Sequence, residues 1–142
     1  MDKKLVQKIQ SLKLEYMEYP QPELLVTMPN PYPDQEYEVQ AVSPEFTALC
    51  PVNPGQPDFA TLTIKYVPDK YIIEFKSLKL YLTSYRNVPI FYEESTNRIL
   101  QDLVKAMKPR SMEVIADWNV RGGITTRITA TYNKKRKPAK GG

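Results

Sequence analysis

The chain reads as an α+β protein, an antiparallel sheet of about four strands with two helices on one face in the order ββααββ. Three observations predict this. Two strand-like stretches precede a pair of helical patterns, and two more follow it. Arg121-Gly122-Gly123 separates the last two as a turn that permits positive backbone dihedrals. No segment repeats another, and 142 residues with 42% hydrophobic and 25% charged side chains suit one domain, residues 1–132, followed by a basic tail, 133–142.

Taken in order, residues 2–14 place Leu5, Ile9 and Leu12 at helical spacing and predict a short amphipathic helix. Residues 18–35 carry Pro20, Pro22, Pro29, Pro31 and Pro33, which lack amide donors, so an extended, ordered connector is expected. A strand is predicted at 37–42, a turn-rich stretch at 46–59, and a second strand at 61–67 that Pro68 ends. Tyr71, Ile72 and Ile73 continue as an extended piece that breaks at Glu74-Phe75-Lys76-Ser77, after which 78–85 is predicted helical. Residues 96–107 put Ile99, Leu100, Leu103, Val104 and Met107 on one face, with Asn97, Arg98, Gln101, Asp102 and Lys105 opposite. Pro109 closes that helix, and 112–120 and 124–132 are the final strand pair. A sheet covered on one face leaves the other in need of a partner, which predicts self-association.

Composition narrows the chemistry. A single cysteine forms no intrachain disulfide, and without histidine the usual nitrogen ligands of zinc are missing, so no metal site is expected. The same absence excludes Ser-His-Asp and Cys-His arrangements, so any nucleophile must be activated by other means. No apolar run approaches the roughly 20 residues of a membrane span, and the opening MDKKLVQKIQ is charged where a signal peptide is apolar; a cytoplasmic protein without membrane partners is expected. The net charge of +4 is concentrated in the tail, where Lys134, Lys135, Arg136, Lys137 and Lys140 read as a solvated, structureless end with no obligatory nucleic-acid partner. No GxGxxG follows a strand, so pattern alone does not lead to a dinucleotide.

Three stretches can carry chemistry. In Cys50-Pro51-Val52-Asn53-Pro54-Gly55-Gln56-Pro57-Asp58, three prolines and one glycine stiffen a loop that offers a thiol and a carboxylic acid. A lone cysteine is more often a small buried hydrophobe, and a free thiol with a pKa of about 8.5 needs nearby positive charge to ionise at neutral pH. Asp58 reads either as a general acid or base or as an ordinary loop aspartate; spacing alone does not choose. The second stretch, 74–81, sets Glu74 beside Lys76 and Lys79 at the start of a helix, where an anion site and a solvated helix face are both possible readings. The third, Tyr92-Glu93-Glu94, is an acidic first turn that suits the helix dipole.

Taken together and in order, TMPNPYPD, PEFTALCPVNPGQPDFAT, EFKSLKLYLTSYRN, FYEE and RGGI resemble the QueF family of nitrile reductases in its short, single-module form, over residues 23–132. EFKSLKLY is the most diagnostic piece and the cysteine loop is nearly as specific. The resemblance implies a tunnelling fold whose subunits close their sheets into an oligomeric β-barrel ring, a homo-oligomer with active sites between subunits. It implies that Cys50 attacks the nitrile carbon of 7-cyano-7-deazaguanine to give a thioimide, that Asp58 donates the proton, and that two NADPH supply the hydrides for 7-aminomethyl-7-deazaguanine, a precursor of queuosine in transfer RNA. Carried over by position, Ile73, Glu74, Phe75, Tyr92 and Glu93 would contact the deazaguanine, a buried glutamate accepting from its ring nitrogen and exocyclic amine. Lys76, Lys79 and Arg121 would meet the NADPH phosphates. Phe75 stands where the family commonly has serine, and Tyr92 where it usually has histidine. Two other readings share the fold: an amidinotransferase acting on the nitrile base in transfer RNA, against which EFKSLKLY argues, and a non-catalytic binding module, against which Cys50 with Asp58 argues.

Overall fold

The computed structural model describes residues 2–134. In chain order they form α1 (Lys3–Ser11), a single 3-10 turn (Pro22–Leu24), β1 (Thr27–Pro29), β2 (Val39–Leu49), β3 (Pro57–Val67) and β4 (Tyr71–Ile73). There follow α2 (Phe75–Thr83), α3 (Tyr92–Met107), β5 (Ser111–Arg121) and β6 (Ile124–Asn133). The main sheet is antiparallel throughout with strand order β2-β3-β5-β6, and β1 pairs with β4 in a separate two-stranded ribbon.

The core follows from the period-2 pattern of the two central strands. Ala60, Leu62, Ile64 and Tyr66 of β3 and Met112, Val114, Ala116 and Trp118 of β5 are buried, and they pack with Leu78, Tyr81 and Leu82 of α2 and Ile99, Leu103 and Met107 of α3. Each large apolar side chain so buried contributes about 1.5–3 kcal/mol of transfer free energy. The alternate residues Thr61, Thr63 and Lys65 of β3 and Glu113, Ile115 and Asp117 of β5 are half-buried. At the α2–α3 end of the core, the Tyr81 hydroxyl bonds to the Tyr85 hydroxyl (2.9 Å) and donates to Asp102 Oδ2 (2.6 Å), which also takes Arg98 Nε (3.2 Å). The two helices are thereby joined by a satisfied buried polar chain.

The α+β class and the ββααββ order hold, with boundaries that differ for identifiable reasons. The first long strand runs to Leu49, well past 42. A register shift between Ser43 and Phe46 absorbs Pro44, which has no amide for the ladder, and lets Phe46 and Ala48 point inward beyond it. The turn-rich stretch therefore shrinks to the loop between Leu49 and Pro57. α2 starts at Phe75 and not at 78, because Glu74 caps it by accepting from Lys76 N (2.8 Å) and Ser77 N (2.6 Å). α3 starts at Tyr92, four residues before the expected start at 96, and Lys108 in the left-handed region (φ 49°) ends it ahead of Pro109. The proline-rich connector is extended but not strandless: β1 pairs Thr27 with Ile73 and Pro29 with Tyr71, and Val26 N bonds to Ser77 Oγ (3.0 Å).

The basic tail lies outside the described residues except for its first two. Asn133 completes β6, so the strand extends one residue past the expected boundary, and Lys134 Nζ donates to Asp69 Oδ2 (2.9 Å). Among the described residues no helix is long and apolar enough to cross a membrane, and no cluster of three or more metal-ligating side chains occurs.

Candidate active site

β2 ends and β3 begins on either side of one tight loop, so the pairing of Leu49 with Pro57 and Ala48 with Asp58 sets Cys50 and Asp58 near each other at the strand ends. Cys50 N donates to Gln56 O (2.9 Å) and Gln56 N to Asn53 O (3.2 Å), while Gly55 takes a positive φ of 79° to complete the return. The closed loop aims Asn53 N at Cys50 Sγ (3.3 Å), a donor on the sulfur. Asn53 Nδ2 donates to Gln56 Oε1 (2.8 Å), and Gln56 Nε2 to Asp58 Oδ1 (3.3 Å), so a chain of side chains runs from beside the thiol to the carboxylate.

Asp58 is buried, 5% exposed, on the same face as Ala60 and Leu62. Its charge is met from the far hairpin, where Arg121 Nη2 donates to Asp58 Oδ1 (2.9 Å) and to Pro57 O (2.7 Å). The start of α3 arrives by a third route. Leu49 N donates to Val88 O (3.0 Å) and Ile90 N to Leu49 O (3.1 Å), stitching residues 88–90 to the end of β2 and delivering Tyr92 and Glu93 beside Cys50.

Tyr92 lies flat on Trp118, with ring centroids 4.1 Å apart and planes 6° from parallel. Burial, then the neighbouring Asp58 carboxylate, push the Tyr92 hydroxyl above its ordinary pKa, and Arg121 offsets part of this. Tyr92 is thus a neutral hydrogen-bonding group at physiological pH. The Trp118 indole N–H is buried without a partner among the described residues.

Cys50, Gln56, Asp58, Tyr92, Glu93 and Arg121 open onto one cavity of about 180 Å³. Pockets for drug-sized ligands are typically about 300–1,000 Å³, so this one fits a ring the size of a base and leaves a dinucleotide to lie mostly outside. Arg121 is the one cationic side chain lining it among the described residues, and it is half exposed.

Five of the ten expected site residues therefore meet within one chain: Cys50, Asp58, Tyr92, Glu93 and Arg121. The other five sit at the β4–α2 junction and do not line this cavity. Ile73 is buried with its amide on the Tyr66 hydroxyl (3.3 Å), and Glu74 spends both carboxylate oxygens on its helix cap. Lys76 Nζ donates to Ile9 O (3.1 Å) and Gln10 O (3.3 Å) at the end of α1. Phe75 is exposed, and with Lys79 it lines a separate cavity of about 330 Å³ between β2 and α2. Glutamate burial also differs from expectation in the single chain, since Glu74 is half-buried and Glu93 exposed. Asn53, Gln56 and Trp118 were not foreseen. The pairing of Trp118 with Ala60, two residues from Asp58, was the signal, and it exists only once strand register is known.

A single thiol and a buried carboxylic acid opening onto one small cavity, on a one-sided antiparallel sheet, give this α+β chain the make-up of an enzyme. Comparison with known proteins sharpens that. The family model described as QueF-like protein matches residues 57–137. An NADPH-dependent 7-cyano-7-deazaguanine reductase of Chloroherpeton thalassium is 52% identical over 115 residues, covering 81% of this chain and 98% of that one. A reductase of the same name from Thermomicrobium roseum is 56% identical over 110 residues, 78% of this chain and 85% of that one. The chain belongs to the QueF family. Among solved structures, the archaeosine synthase QueF-Like in its apo form superposes with a TM-score of 0.58 at 19% identity, covering 68% of this chain and 91% of that one, and shares the fold.

Proposed function

We propose that this chain reduces the nitrile of 7-cyano-7-deazaguanine to the aminomethyl group of 7-aminomethyl-7-deazaguanine with NADPH as reductant, the step that serves queuosine synthesis. The observation that carries the reading is the joint opening of Cys50 and Asp58 onto one ring-sized cavity, in a chain whose relatives of that name match over nearly their whole length.

The chemistry follows from the residues in place. The Cys50 sulfur adds to the nitrile carbon while the thiol proton passes to Asp58 and from Asp58 to the nitrile nitrogen, so one thiol and one nitrile give one covalent thioimide. Asn53 N, already on the sulfur at 3.3 Å, holds the thiol toward the cavity. When bound, NADPH supplies a hydride, two per nitrile, so the balance is one nitrile, two NADPH and two protons to one primary amine and two NADP+. The carbon–sulfur bond formed first breaks before the second reduction and returns Cys50. Tyr92, fixed by Trp118, orients the ring as a neutral group, and Glu93 accepts from the guanine-like edge.

The reading extends to a ring of subunits. Ile73, Glu74, Phe75, Lys76 and Lys79 lie off the Cys50 cavity, and a neighbouring copy that brings its own β4–α2 junction to the cavity supplies them. The half-buried second face of the sheet and the open edges of β2 and β6 support such closure. Mixing the protein with 7-cyano-7-deazaguanine and NADPH tests the proposal through nitrile-dependent loss of nicotinamide absorbance, with light scattering reporting the oligomer. A folded oligomer that oxidises no NADPH overturns it. Conversion of the nitrile base in transfer RNA with ammonia and without NADPH would establish the amidinotransferase instead.

A further inference from the structure

Arg121 faces two demands that it cannot meet at once. Among the described residues it is the only cation on the cavity, and it is already committed: Nη2 holds Asp58 Oδ1 at 2.9 Å and Pro57 O at 2.7 Å. We propose that Arg121 is a shared cation, paired with Asp58 while the cavity mouth is empty and transferred to a phosphate of the dinucleotide when that ligand docks, which frees Asp58 for the substrate. The inference rests on the reductase reading and adds the coupling between the two halves of the site.

The pair is lopsided in a way that makes exchange feasible. The Arg121 side chain is 52% exposed and that of Asp58 7%, so the arginine can leave toward solvent or ligand while the aspartate stays. Both bonds come from one nitrogen of a guanidinium that carries five donors, so an approaching phosphate can be engaged before the old contact is lost. Arg121 is also the last residue of β5, paired with Ile124 beyond a register irregularity that follows Trp118, so its backbone is held at the hairpin end while its long side chain reaches over the cavity mouth. Gly122 and Gly123, with φ of 60° and 77°, follow it, and no atom lies within 4 Å of where a Cβ would project on either, which leaves room for a ligand against the backbone.

Asp58 tolerates the loss. Gln56 Nε2 remains on Oδ1 at 3.3 Å and Tyr92 remains beside it. The consequence is functional. Moving the cation to the dinucleotide takes the Arg121 bond off Asp58 Oδ1, so docking at the cavity mouth changes the hydrogen bonding of the carboxyl group beside Cys50, and Arg121 acts on Asp58 as well as on the dinucleotide.

Competition for one cation is reciprocal, so removing the carboxylate must strengthen dinucleotide binding. Calorimetric titration of NADP+ without nitrile, into the parent oligomer, Asp58→Asn, Arg121→Ala and the double variant, tests this. Asp58→Asn should bind NADP+ roughly three- to tenfold more tightly, in keeping with the free energy of a half-exposed ion pair. Arg121→Ala should bind it more weakly, and the double variant should match Arg121→Ala. A merely structural Asp58 would not improve binding when removed. Asp58→Ala carries the same expectation if the asparagine variant does not fold. Unchanged or weaker binding in the aspartate variants overturns the proposal, as does equal tightening in the Arg121→Ala background, which would indicate simple charge repulsion. A folded parent oligomer that binds no NADP+ removes the reductase reading and this inference with it.

Discussion

Asparagine at position 58 separates the chemical role of the aspartate from its structural one. The side chain it replaces is 5% exposed, and asparagine has the same shape, with an oxygen that can still accept from Gln56 Nε2 and Arg121 Nη2. The ion pair is lost, but Arg121 is half exposed and can return its charge to water, while the cost of burying a carboxylate disappears as well. The net change in folding stability should stay within about 1 kcal/mol. The proton, in contrast, has no ready substitute on the cavity wall: the proposal gives Cys50 to the nitrile carbon and Glu93 to the guanine-like edge, and burial makes the Tyr92 hydroxyl a weaker acid than an ordinary tyrosine. Loss of a general acid costs on the order of 10²- to 10⁴-fold in rate, equivalent to about 2.7–5.5 kcal/mol of barrier. Initial rates of nitrile-dependent NADPH oxidation at saturating substrates should fall by at least that lower factor, while the urea midpoint hardly moves. Turnover at the parental rate, or a rate loss that follows unfolding, would refute the assignment.

Cys50→Ala should show no covalent adduct by intact mass after incubation with 7-cyano-7-deazaguanine and no turnover, because the chain has no second thiol; an adduct that persists removes Cys50 from the mechanism. Tyr92→Phe should slow turnover without abolishing it, and Tyr92→His should add an ionisation near the histidine pKa of about 6.5 to the rate profile; two variants with the parental pH profile and rate would place Tyr92 outside the proton path. Tyr81→Phe deletes a charge-assisted bond to Asp102 and a buried hydrogen-bond partner of the Tyr85 hydroxyl, so urea unfolding should report a loss of about 2–4 kcal/mol; a loss below about 0.5 kcal/mol would show that the buried chain is not coupled. Burial raises the Tyr81 and Tyr85 pKa values above the usual 10.0, so their contribution is intact below that pH and declines as pH rises beyond it. The paired Tyr81→Phe and Tyr85→Phe variant should therefore lose part of the alkaline slope of stability, and an unchanged slope would count against the linkage.

Some elements were plain in the residue order because their signal is local. The apolar face of α3 repeats at helical spacing from Ile99 to Met107, and Arg121-Gly122-Gly123 can only turn. Element starts were less legible. The first turn of α3, Tyr92-Glu93-Glu94-Ser95, carries no apolar periodicity and is helical because residues 88–90 are pinned to Leu49 and the Tyr92 ring is pinned to Trp118. The continuation of β2 through Phe46 and Ala48 was hidden by Pro44 on one side and Cys50-Pro51 on the other, although the alternation was present; the bulge makes it compatible with a sheet. β1 was invisible because three residues that end in a proline have no strand signature until β4 is there to pair with them.

For the candidate site, the sequence by itself determined the chemical vocabulary. One cysteine and no histidine leave a single thiol nucleophile that must work without an imidazole, and prolines hold that thiol and Asp58 on one short loop. Those facts depend only on which residues are present and how close they are along the chain. Which groups surround them was decided by tertiary structure. Arg121 comes from 63 residues away to pair with Asp58 because the β3–β5 and β5–β6 registers carry the far hairpin back to the loop, and Tyr92 arrives through two backbone bonds between Leu49 and the segment before α3. The separation of Glu74, Lys76 and Lys79 from the cavity was settled in the same way: adjacency in space depends on strand register and helix packing, which sum many weak contacts over the whole chain and leave no mark at any one position.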